Sequence, residues 1–89
     1  MTTMFVRHTV ADYRTWRNAY DAFAPVQKTK GVGGQAVYQA IDNPNDVTVT
    51  HEFDSAEAAE AFAGSDELKQ AMKSAGVLGT PAIWFTNRV

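Results

Sequence analysis

Apolar and polar residues alternate most clearly over Val47-Thr48-Val49-Thr50-His51-Glu52-Phe53. This is the period of a β-strand, so Val47, Val49, His51 and Phe53 share one face and Thr48, Thr50 and Glu52 the other. Met4 to Val10 repeats the pattern, with Met4, Val6, His8 and Val10 opposite Phe5, Arg7 and Thr9. A longer period follows. Asp12 stands where a helix N-cap belongs, and Tyr13, Trp16, Tyr20 and Phe23 recur at the spacing of one helix face. Arg14, Arg17, Asn18 and Asp21 take the opposite side. Pro25 removes a backbone donor and disfavours helical geometry at Ala24. The helix therefore ends near Ala24 or kinks and runs on to about Thr29.

Gly31-Val32-Gly33-Gly34 reads as a turn, and Gln35 to Ile41 as a second strand. Asp42-Asn43-Pro44-Asn45-Asp46 is dense in turn formers and is expected to close a hairpin onto the Val47–Phe53 strand. Ser55 caps a helix that turns Ala58, Ala59 and Phe62 inward. Gly64 breaks it. Ser65 caps again, with Asp66 and Glu67 well placed against the helix dipole, and Leu68, Ala71, Met72 and Ala75 recur until Gly76. Beyond Gly79 and Pro81, Ala82 to Asn87 is expected to form the last strand.

This order, β-α-β-β-α-α-β, predicts one α+β domain over residues 1–89: a ferredoxin-like βαββαβ fold with a split second helix. Its four-stranded antiparallel sheet has the order 4-1-3-2, with helices on one face. The Val/Met/His face is the more apolar and is assigned to the helices. Phe5, Arg7, Thr9, Thr48, Thr50, Glu52 and Tyr38 are left on the open face, where Arg7 and Glu52 are expected to pair across strands.

Composition narrows the function. With 8 basic and 10 acidic residues and a net charge of −2, the chain has no basic stripe to follow a phosphate backbone, which argues against nucleic acid. No apolar run approaches the ~20 residues of a membrane span. Met1 to Arg7 lacks the pattern of a signal peptide, so a cytoplasmic location is expected. There is no cysteine, hence no disulfide, thiolate nucleophile or thiolate metal site. A chain of 89 residues buries only roughly 60–65% of its unfolded surface, a shortfall that a second copy would relieve.

A metal-carrier version of this fold needs a Cys-x-x-Cys loop, and an RNA-recognition motif needs a basic, aromatic third strand. Neither is present. The chain instead resembles the dimeric α/β-barrel superfamily, particularly its small antibiotic-biosynthesis-monooxygenase-like and cyclase-like proteins. The resemblance rests on Asp12-Tyr13…Trp16, Gly31…Gly34, Asp42-Asn43-Pro44-Asn45, His51-Glu52-Phe53-Asp54-Ser55-Ala56-Glu57-Ala58 and Ser65…Leu68…Met72. It implies that two sheets pack through their helix-free faces into a barrel, and that each subunit keeps a pocket between sheet and helices. Related monooxygenases commonly carry a histidine where Phe62 stands here, and another near Glu67. No catalytic motif carries over residue by residue.

His51 and His8 share the predicted helix-covered face. Either they line the pocket as acid/base or hydrogen-bonding groups, or they are core histidines bonded to backbone or water. Two histidines without a third ligand fall short of a zinc set, and Gly31-Val32-Gly33-Gly34 does not match a phosphate-binding loop. The aromatic stripe reads first as core. Trp16, Tyr20, Phe23, Phe62, Met72 and Trp84 are also the candidate walls of a slot for a flat aromatic ligand. The expectation is a cofactor-free, homodimeric small-molecule protein that oxidises, cyclises or isomerises an aromatic or polyketide-like compound. His51 would be the acid/base group and His8 its support. The alternative is a non-catalytic ligand-binding or stress-associated dimer.

Overall fold

Eight elements carry the chain, in a computed structural model that describes all residues from Met1 to Val89. They are β1 (Thr2–Val10), α1 (Tyr13–Ala22), α2 (Ala24–Thr29), β2 (Gly34–Ala40), β3 (Asn43–Phe53), α3 (Ala56–Ala63), α4 (Asp66–Ser74) and β4 (Val77–Asn87). The strands form one antiparallel sheet of order β2-β3-β1-β4, the expected order counted from the other edge. No helix is long and apolar enough to cross a membrane.

The period-two pattern decides which face the helices cover. Met4, Val6, His8 and Val10 of β1 and Val47, Val49, His51 and Phe53 of β3 are all buried beneath them. Packing is in two clusters. Met4, Val6 and Phe53 meet Ala59, Phe62 and Leu68 at one end of the sheet. At the other, Val10, Val47 and Val49 meet Trp16, Tyr20 and Ala75.

Each longer helix starts on a side-chain cap. Asp12 accepts from the Thr15 backbone N–H at 2.9 Å and from the Thr15 hydroxyl at 2.8 Å. Ser55 and Ser65 accept from Ala58 and Leu68 in the same way. Pro25 resolves as a break: α1 stops at Ala22, Phe23 bridges, and α2 starts with Pro25 in its first turn, where a missing N–H costs nothing. At the end of α4, Gly76 adopts φ +83°, a left-handed value that other residues reach only under strain.

Several sequence expectations are corrected. The Asn43–Asp46 stretch is the start of β3, not a loop. Register slips between Gln39 and Ala40, leaving Pro44, which has no N–H to pair, inside a bulge. Asparagine side chains serve the backbone there: Asn43 Oδ1 accepts from Asn45 N–H, and Asn45 Oδ1 from Tyr13 N–H, each at 3.0 Å. β4 starts at Val77, not Ala82, and passes Gly79 (φ +68°) and Pro81 through an irregularity opposite Arg7 and Thr9. Arg7 pairs with Asp46, at 2.7 and 3.1 Å, and not with Glu52. The register explains it, since Arg7 lies opposite Thr48, one diagonal step from Asp46, whereas Glu52 lies opposite Thr3.

Candidate functional site

Between the two core clusters the packing is incomplete. A cavity of about 40 Å3 opens there, with Val6 and Val49 as floor, Trp16, Tyr20 and Phe23 along α1 and its end, and Leu68 and Met72 from α4. Apart from the Tyr20 hydroxyl and the Trp16 indole N–H, the polar side chains in its walls are His8, His51 and Gln27.

The imidazoles do not meet. Met4 faces His51 and His8 faces Val47, so the two lie four residues apart along neighbouring strands, on the order of 13 Å between Cα atoms. His8 therefore cannot support His51 directly. It sits edge-on to Trp16, ring centres 5.6 Å apart, at the α1 end of the cavity, and neither of its nitrogens has a hydrogen-bond partner.

His51 is the better connected. Its Nε2 lies 3.4 Å from the Tyr20 hydroxyl and 3.3 Å from the Gln27 amide nitrogen. The Tyr20 hydroxyl donates to Gln35 Oε1 at 3.0 Å, which leaves its oxygen free to accept. Two proton arrangements follow. Nε2 accepts from the Gln27 amide and Nδ1 carries the proton, or Nε2–H donates to Tyr20 and the Gln27 amide turns over. In both, His51 Nδ1 and one Gln27 amide atom remain without a partner. A buried unpaired polar group costs roughly 1–3 kcal/mol, so the concentration of such atoms around one cavity marks a place suited to water or ligand.

Burial also sets protonation. It pushes His51 down from 6.5 to about 4, with nearby His8 adding to the shift, and lowers His8 in the same direction. Both rings are neutral at pH 7. Burial raises the Tyr20 hydroxyl, which stays protonated. No group of three or more His, Cys, Asp or Glu side chains is placed to hold a metal ion.

Of the residues expected at the site, His8, His51, Trp16, Tyr20, Phe23 and Met72 line the cavity. Phe62 stands behind it, packed on His51, Phe53 and Phe23 at ring separations of 5.4, 5.5 and 6.3 Å. Trp84 is elsewhere. It lies on the helix-free face, stacked on Phe5 at 5.2 Å, so it cannot wall this cavity. Gln27 was missed. It continues the Trp16–Tyr20–Phe23 stripe by one more helical step of four, a signal that Pro25 obscures.

The antibiotic biosynthesis monooxygenase family model matches residues 6–74, a span that holds every cavity residue except Ala75. The chain belongs to the antibiotic biosynthesis monooxygenase family. Among solved structures it is similar to a candidate antibiotic biosynthesis monooxygenase from Bordetella bronchiseptica, with TM-score 0.85 and 14% identity over 99% of this chain and 96% of that one. It is also similar to SnoaB, a cofactor-independent oxygenase from Streptomyces nogalater, with TM-score 0.80 and 12% identity over 99% and 92%. A third, a candidate monooxygenase of this kind from Caulobacter crescentus, gives TM-score 0.78 and 17% identity over 99% and 89%. No curated protein matches. In this monooxygenase family member the polar groups of the cavity come from β1, α1, α2 and β3, while α3 contributes only the phenyl ring of Phe62 behind His51.

Proposed function

We propose that the chain is a cofactor-independent monooxygenase for a small aromatic or polyketide-like compound, with His51 as its acid/base group. One observation carries the reading: a family member with an otherwise apolar cavity holds buried imidazole nitrogens that have no protein partner. Such a ring is poised to meet a substrate hydroxyl or an acidified C–H.

The chemistry must respect His51's weakness as a base. Taking a proton from a phenol of pKa ~10 onto a ring near 4 is uphill by roughly 8 kcal/mol. A phenolate formed beside the ring would itself raise the imidazole's affinity for the proton, so transfer and charge pairing reinforce each other. The electron-rich anion can then reduce dioxygen. One oxygen atom enters the ring, the other leaves as water, and the phenol becomes a quinone.

The measurement is dioxygen uptake with a panel of phenols and naphthols. Uptake with quinone formation is expected from the wild type, and a loss of about a hundredfold or more from His51→Ala. Unchanged turnover in His51→Ala, with circular dichroism showing a folded chain, would overturn the role of His51.

A second reading, a non-catalytic ligand-binding protein, is favoured by the size of the cavity, since 40 Å3 is room for little more than one water. Binding of the same compounds without any dioxygen uptake would select it. To the helix-free sheet face we assign a second copy of the chain, because Phe5, Trp84, Tyr38 and Leu78 stand there with nothing over them.

A further inference from the structure

A chamber of 40 Å3 cannot take an aromatic ring, yet it does not stand alone. Next to it, between α2 and the start of β2, lies a shallow cleft of about 340 Å3, whose lining includes Lys28, Gly33, Gly34 and Gln35. That is the size of a small-molecule site. One side chain walls both spaces: Gln27, itself only 2% exposed.

Gln27 is weakly held for a buried residue. Its amide nitrogen makes one long contact of 3.3 Å to His51 and otherwise reaches only the Tyr20 hydroxyl, and its carbonyl oxygen has no partner. Swinging it aside would give up little and would release an unsatisfied atom. The hydrogen bond from Tyr20 to Gln35 crosses from chamber to cleft beside it. Lys28 is the only charged side chain lining the cleft, and it forms no salt bridge.

We propose that Gln27 is a gate, and that chamber and cleft open into one site for a hydroxylated aromatic compound bearing a carboxylate. The ring hydroxyl goes inward to His51, the ring fills the space Gln27 vacates, and the carboxylate rests on Lys28. This rests on the reading of the chamber as a ligand site and adds the ligand's second anchor and its way in.

Calorimetric titration of 2-naphthol and 6-hydroxy-2-naphthoate at neutral pH tests it. The wild type should bind the carboxylate at least about tenfold more tightly. Lys28→Glu should erase that advantage and leave 2-naphthol within about twofold. Gln27→Ala should tighten both. A carboxylate advantage that is missing, or that survives Lys28→Glu, overturns the two-compartment site while leaving the chamber reading intact, as does weakened naphthol binding in Gln27→Ala. Failure of both compounds to bind overturns the gate and the ligand-site reading together.

Discussion

Burial governs both imidazoles. In the unfolded chain each titrates near 6.5; in the folded one burial lowers both, His51 to about 4. Below 6.5 the unfolded chain therefore binds more protons than the native one, and acid favours unfolding. His51's contribution to stability is full above about pH 6.5 and is lost as pH falls toward 4, amounting to roughly 2 kcal/mol between pH 7 and 5. The lowered carboxylates Asp12, Asp46 and Glu67 act in a lower window, below their unfolded values of 3.8 to 4.5. Urea midpoints at pH 7 and 5 should thus fall with acid in the wild type and fall less in His51→Phe. Phe62 gives a different expectation. Packed among Phe53, Phe23 and His51, it is core, so Phe62→Ala should cost about 3–5 kcal/mol in urea unfolding whether or not ligand is present.

The helices are set by their ends. Asp12 receives two hydrogen bonds from Thr15 and fixes where α1 starts, so Asp12→Ala should lower Tm by about a few degrees, and Thr15→Val, which loses only the hydroxyl bond, by less. Thermal melts at pH 7 would show it. These caps, like the alternation in β1 and β3, are local, and local signals are what a sequence displays. The helix breaks at Pro25 and Gly64 and the face buried by Met4, Val6, Val47 and Val49 were legible for that reason. What was not legible depended on a partner strand. Asn43 to Asp46 looks like a loop until β2's slip at Gln39 supplies its bulge. Ala82-Ile83-Trp84-Phe85 is apolar throughout, so alternation cannot say which side Trp84 takes; only its place opposite Phe5 does. The same holds for the site. His8, His51, Trp16, Tyr20 and Phe23 could be read from two strand faces and a helix stripe, but Gln27 lay hidden beyond Pro25, and the separation of His8 from His51 needed the register.

At the scale of the molecule, a single sheet with helices on one side leaves its other side to be covered. That side carries Tyr38 at 57%, Leu78 at 53% and Trp84 at 42% exposure, beside the stacked Phe5 ring. Its one ion pair, Arg7 with Asp46, is already closed within the chain, so a second sheet could cover that pair without separating its two charges. A symmetric partner answers these features, since the same patch then serves both subunits. Light scattering at micromolar concentration should give twice the 9.7 kDa of the chain. Trp84→Glu places two carboxylates in the shared face and should raise the dimer dissociation constant by about a hundredfold or more, with the far-ultraviolet dichroism unchanged. Arg7→Ala then separates the environments: almost no loss of stability if the pair stays in water, and a large one if a partner encloses it and Asp46 is left unpaired. A wild-type chain that scatters as a monomer leaves that face bare, and the Arg7 variant would then show the smaller value.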